Sequence, residues 1–429
     1  MPGEFDARSV EMLHTLGLTT DMVHDHVLDP GHLADAAQHI ELHDAGDVVD
    51  VVDRPPSGLL YRLDTAQLST DLFNLLSPCL GGYALQLRRY GRVVFAHRWK
   101  QARTPPDGDI DWAPDVQMHV ASVSKLITAM AMTKLLHDHG ISVDARMARW
   151  LPGHWLRGPG VDRLTFRQLL THTSGLVALN EAGAADYPFM RAQIALGVVG
   201  AAGYRNMNYG LCRILISTID APHLFQLAGP GVTEQYWDLT TIRYYQRYVE
   251  ENIFDPVGVT SGFTRTGDHA LAYPFPVTSP GLAQEDLSTM SGAVGWHLSV
   301  DDLLAIMANF RRLGGIIDPI RAQTMLDRQI GLDLKEDTPL GRVYAKGGFF
   351  SFEGARYVQQ TNVFFLPKGM ELAILANSPL CKPDTGFMGQ VFEAIKRNIH
   401  FNWLTIAAAA TAGFAIAGAV THVRAPRRP

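Results

Sequence analysis

Cysteine is scarce in this chain. Its three copies, Cys79, Cys212 and Cys381 in 429 residues, are odd in number and far apart, which matches neither a disulfide framework nor zinc-ligand spacing. The sequence therefore predicts buried free thiols. Basic charge is also in short supply, with 37 Lys and Arg against 43 Asp and Glu and a net charge of -6. No basic stripe with interleaved aromatics is present, so nothing points to a nucleic-acid partner. The opening residues, Met1 to Asp6, have no basic stretch followed by an apolar one, and no secretory signal peptide is expected. A cytoplasmic or C-terminally anchored protein is the resulting expectation.

Long apolar runs are lacking too, with one exception. Trp403 to Val420 is uncharged and is followed by Arg424, Arg427 and Arg428. At 1.5 Å per residue it reaches about 27 Å, against a hydrocarbon core of roughly 30 Å. This Ala- and Gly-rich stretch within residues 401–423 reads either as a marginal transmembrane anchor or as a tail helix, with 424–429 a basic tail. Metal-ligand pairs are missing as well. His24, Asp25 and His26 with His39 and His43 have no second pair at a spacing that structural sites use, and they read as solvated helix faces.

What is present is organised in three parts. Residues 1–70 read as a helical extension with fragments at Val10 to Leu18 and His32 to Leu42, closed by the breaker run Asp53 to Gly58. Residues 71–400 read as the catalytic domain. Within it, Tyr83 to Leu87 and Val93 to His97 flank a turn at Arg89, Tyr90 and Gly91, which predicts a β-hairpin. Strands return at Val343 to Phe350, Tyr357 to Leu366 and Leu372 to Ala376, and a closing helix places Phe387, Val391, Ile395 and Ile399 on one face. The stretch from about 123 to 330 is read as mainly helical. Strands at both ends with helices between imply one antiparallel sheet completed by distant segments, an α+β fold with an inserted helical domain and a cleft beside the sheet.

The chemistry concentrates at Ser122 and Lys125, three positions apart at the head of an apolar helical run ending near Gly140. One helical turn brings the lysine within reach of the hydroxyl, so Ser122 is a candidate nucleophile. Alone, Ser-x-x-Lys recurs by chance about once in a few hundred residues. Tyr204 and Asn206, two residues apart, place a phenol and an amide on one predicted loop. A phenol with an ordinary pKa of about 10 becomes a usable base when ammonium groups favour its phenolate. Lys125 and Lys346 can supply them. Lys346 opens Lys346-Gly347-Gly348-Phe349 on a predicted strand, whose glycines allow close backbone approach. The backbone N–H groups of Ser122 and Phe349 are the expected oxyanion hole.

In this order the residues resemble the serine β-lactamase and penicillin-binding-protein superfamily, in the branch with class C β-lactamases and β-lactamase-like carboxylesterases. Further landmarks are Leu164 to Leu176, Ile253 to Gly258 and Gly292 to Asp302, and together they cover about residues 80–398. The resemblance implies a β-lactamase/transpeptidase-like α/β/α sandwich in which Ser122 attacks a carbonyl and Lys125 and Tyr204 move its proton. It implies that Asn206, Lys346, Gly347, Gly348 and Phe349 hold the substrate. No metal or organic cofactor is implied, and the partner is a small ester, amide or peptide substrate. His172, Trp296 and His297 are read as structural.

Two departures bear on the substrate. Gly347 stands where the family carries threonine, so a hydroxyl that helps to bind a substrate carboxylate is missing. Losing such a donor weakens binding roughly ten- to a hundredfold, which favours esters or amides without that carboxylate. The approach to Tyr204, Gly197 to Gly203, and an insertion at about Ala221 to Thr240 reshape the pocket wall. A β-lactamase or D-alanyl-D-alanine carboxypeptidase, a transacylase, and a catalytically silent tethered binding protein remain as alternatives.

Overall fold

The computed structural model describes residues 61–176, 186–222, 234–263, 268–381 and 386–402. The expected N-terminal helices, the histidine-rich segment and the apolar run at 403–420 lie outside the described residues. Among the described residues, no helix is long and apolar enough to cross a membrane.

In chain order the strands are β1 (Tyr61–Leu63), β2 (Tyr83–Arg89), β3 (Arg92–Trp99), β4 (Gln101–Arg103), β5 (Ile110–Asp111), β6 (Met118–His119), β7 (His297–Leu298), β8 (Leu334–Thr338), β9 (Gly341–Phe352), β10 (Tyr357–Leu366), β11 (Met370–Ala376) and β12 (Ile399–Phe401). Six of them form an antiparallel sheet in the order β3-β2-β11-β10-β9-β8. The early hairpin β2–β3 is thus completed by late strands, as the sequence pattern predicts. β8 was not anticipated.

Side chains alternate between the two faces of a strand, and here both faces are covered. On β10 and β11, Phe364, Leu366, Leu372 and Ile374 pack against one face, whose cover includes the helices Thr65–Leu76 and Phe387–Arg397. Val363, Phe365, Ala373 and Leu375 join the core of the larger helical layer on the other face. Burial on both faces explains why these strands read as continuous apolar runs. The result is a three-layer α/β/α sandwich.

The Thr65–Leu76 helix starts on Asp64, whose carboxylate accepts the N–H of Gln67 at 3.0 Å. It runs across the boundary expected at residue 70 and buries Leu68, Leu72 and Leu76 against the sheet. The closing helix ends at Arg397, and Ile399 starts β12, which pairs with β1 instead of extending the helical face. The cysteines depart further from expectation. Cys79 and Cys381 form a disulfide, and Cys212 alone is a buried free thiol among the described residues. Of the insertion expected at Ala221 to Thr240, the described part includes the start of the Glu234–Val249 helix.

Candidate active site

Ser122 lies in a 3₁₀ turn, Ala121–Val123, that leads into the Ser124–Asp138 helix. Across the junction of this turn with the α-helix, side chains three apart lie on one face. Lys125 accordingly points its Nζ at Ser122 Oγ, 2.9 Å away, and donates a second hydrogen bond to the Ala293 carbonyl, also at 2.9 Å. The helix is buried on nearly every side, with Lys125 at 0% exposure. An all-round apolar sequence is what such a position requires. Ala121 adopts φ 49°, a left-handed conformation rare for a residue with a Cβ. Its place immediately before the serine marks a turn held by its surroundings: Val120 N–H donates to the Trp296 carbonyl at 2.9 Å, and β6 pairs with β7.

Tyr204 reaches the same serine from the opposite wall, its hydroxyl donating to Ser122 Oγ at 2.7 Å. Tyr204 is 45% exposed, so part of the side chain is open to solvent. Its other supports are cationic and aromatic. Lys125 Nζ and Lys346 Nζ stand 5.0 and 5.1 Å from the ring centre, and the His172 ring lies 4.2 Å from it, centre to centre. His172 Nδ1 accepts the Arg205 N–H at 3.2 Å, so this histidine fixes the backbone that carries Tyr204, as expected. Burial, with the charges of Lys346 and Lys125, pushes the His172 pKa down to about 3. The imidazole is neutral at pH 7. Asn206 is not on the loop with Tyr204; it is the first residue of the Asn206–Asp220 helix, half-buried.

The strand β9 supplies the third wall. Gly348 sits so close to the nucleophile turn that a Cβ there would lie 2.4 Å from the Val120 carbonyl oxygen and 3.2 Å from Ser122 N. Only glycine permits this approach. Along an antiparallel strand, alternate residues turn their N–H and C=O to the same edge. Ala345 O and Gly347 N–H both face the Asp333 side, so Phe349 N–H points along that edge as well. β8 covers the edge from residues 341 to 345, and beyond it the strand faces the turn bearing Ser122.

Lys346 is 1% exposed. Burial lowers its pKa, and the Asp333 carboxylate opposes that shift. Asp333 Oδ1 accepts from Lys346 Nζ at 2.6 Å, and Oδ2 accepts the Gly347 N–H at 3.0 Å. This aspartate is absent from the sequence-based site. Its signal was structural: Leu334 pairs with Ala345, which puts Asp333 opposite Lys346, but that register is visible only once β8 is known to exist. Ser122, Lys125, Tyr204, Lys346 and the 347–349 backbone therefore come together, with Asn206 beginning the helix next to Tyr204. Among the described residues, no group of three His, Cys, Asp or Glu side chains is placed to hold a metal ion.

Fold and site together define the β-lactamase/transpeptidase-like class. The family model described as Beta-lactamase matches residues 78–384, and the chain belongs to that family of serine hydrolases. Esterase EstB of Burkholderia gladioli is 32% identical over 124 residues, 27% of this chain. The match spans 31% of that curated relative's length, under a third. Among solved structures, the octameric penicillin-binding protein homologue from Pyrococcus abyssi is similar with a TM-score of 0.58, 19% identity and 77% of each chain covered. The class C β-lactamase from Rhodobacter sphaeroides gives a TM-score of 0.55 at 15% identity, covering 77% of this chain and 97% of that one. At these identities the two structures bear on the fold alone.

Proposed function

We propose that this protein hydrolyses ester or amide bonds through an acyl intermediate on Ser122. The observation that carries the reading is the convergence of Lys125 Nζ and Tyr204 Oη on one serine oxygen, at 2.9 and 2.7 Å. Both lie within the range needed for proton transfer. Ser122 Oγ attacks the carbonyl carbon while its proton passes to the Lys125–Tyr204 pair, with the phenolate favoured by the two flanking ammonium groups. The developing oxyanion is received by the N–H groups of Ser122 and Phe349. Collapse expels the alcohol or amine, which takes up the proton, and leaves the acyl group on Ser122. Water, deprotonated by Tyr204, then releases the acid.

Small esters and amides are the favoured substrates, because Gly347 offers no hydroxyl for a substrate carboxylate. β-Lactams and D-alanyl peptides stand as the narrower rival within the same chemistry. The test labels purified protein with a fluorophosphonate and, in parallel, with a fluorescent penicillin, comparing wild type with Ser122→Ala. Ser122-dependent fluorophosphonate labelling with little penicillin labelling is the expected result. No Ser122-dependent labelling by either reagent would sink the hydrolase reading.

A further inference from the structure

The strand wall of the site carries two donors that a substrate anion could use, the Lys346 ammonium and the Gly347 N–H. Both are already engaged by one side chain. Asp333 spans them with its two carboxylate oxygens, at 2.6 and 3.0 Å, and its own backbone is pinned by its N–H donating to the Ala345 carbonyl at 2.9 Å. The Asp333 side chain keeps 27% exposure beside a nearly inaccessible lysine, so solvent reaches the carboxylate. Gly347 lies against the same carboxylate, since a Cβ at that position would stand in ordinary contact with Asp333 Oδ2, at 3.6 Å.

We infer that Asp333 is a specificity-determining residue that fills the anion-binding position of the β9 wall with a carboxylate of the chain itself, so that the enzyme selects acyl substrates that are neutral or cationic on that side of the scissile bond. This rests on the serine-hydrolase reading above and names its substrate class. The physical argument is one of charge and donor count. A substrate carboxylate approaching β9 meets a fixed negative charge and finds both donors occupied. Displacing Asp333 would leave a carboxylate without its partners, a cost that an uncharged substrate does not incur. An ester carbonyl or a carbamoyl group needs neither donor, and an ammonium group gains from the aspartate.

The experiment uses a matched pair of acylating probes, benzylpenicillin and its methyl ester, in which one methyl group replaces the negative charge. Each is measured by its second-order rate of reaction with Ser122 in wild type and in Asp333→Asn. Wild type should react faster with the methyl ester, and the ester-to-acid rate ratio should fall about tenfold or more in Asp333→Asn. A wild-type preference for the free acid would overturn the inference whatever the variant does. So would an unchanged ratio in an Asp333→Asn protein that still takes the fluorophosphonate on Ser122. A wild type that reacts with no acylating reagent at all overturns the hydrolase reading first, and this one with it, so the two failures are told apart.

Discussion

Tyr204 carries two separable contributions, a hydroxyl on Ser122 and a ring packed on His172. Tyr204→Phe removes the first and keeps the second. General-base catalysis typically contributes about 10² to 10⁴-fold, so kcat/KM for a neutral ester should fall by that amount while the melting temperature stays close to wild type. A loss under tenfold would assign the proton to Lys125 alone. His172 gives a pH signature of a different kind. Its pKa in the folded protein is down at about 3, against about 6.5 for an unfolded histidine. Below pH 6.5 the unfolded chain therefore takes up a proton that the folded one refuses, and stability falls with pH through that window until about pH 3. At pH 5 this amounts to about 2 kcal/mol. His172→Asn keeps an acceptor for Arg205 N–H and suits the positive φ of 58°. Urea unfolding at pH 7 and pH 5 should show the variant losing about 2 kcal/mol less than wild type between the two. Equal losses would mean that the imidazole protonates freely in the native state.

The element that decides the site is β9, and its two glycines differ in what they permit. Gly348 is pressed against the nucleophile turn, with a Cβ falling 2.4 Å from Val120 O, backbone that cannot swing aside. Gly348→Ala should push the strand off Ser122 and lower kcat/KM at least about 10²-fold, as displacements of about 1 Å do in preorganised sites. Gly347→Ala meets only side-chain atoms, at 3.2 Å or more, and should stay within about tenfold of wild type. Steady-state kinetics on one ester, with circular dichroism to confirm folding, reads both; equal effects would remove the close-approach argument. The sequence made β9 legible through Lys346 and its glycines, and β10 and β11 through their apolar runs. β8 stayed hidden because Lys335, Glu336 and Asp337 break any apolar alternation in Leu334–Thr338. It is an edge strand carrying the charges that edges favour. Missing it meant missing Asp333, whose meeting with Lys346 follows from strand register and not from any motif.

At the scale of the whole molecule, the single antiparallel sheet was readable because early and late strands with helices between them leave few ways to close it, while the α/β/α layering followed from the family resemblance. The pairing of Cys79 with Cys381 was not, because 302 residues separate them and spacing carries no information at that range. Topology supplies what spacing withholds. Tyr83 on β2 pairs with Ala376 on β11, and the two cysteines lie four residues before the one and five after the other. The sheet delivers them to each other, and Cys381 N–H donates to the Cys79 carbonyl at 3.1 Å. Closing a loop of this length restricts the unfolded chain strongly, and removing such a bridge costs about 2–5 kcal/mol. Cys79→Ala should therefore lower the unfolding free energy by that amount and move the guanidinium midpoint down with it. Dithiothreitol should shift the wild type to the same value, since Cys381 is exposed. The same reductant should leave the midpoint of Cys79→Ala where it was. Cys212 serves as the internal control, because it is fully buried and burial pushes its thiol pKa up. It should resist alkylation in the folded protein and react only on unfolding. If mass spectrometry shows the bridge reduced while the wild-type midpoint stays in place, the β2–β11 ladder and the contacts beside it hold these two stretches together without the bridge.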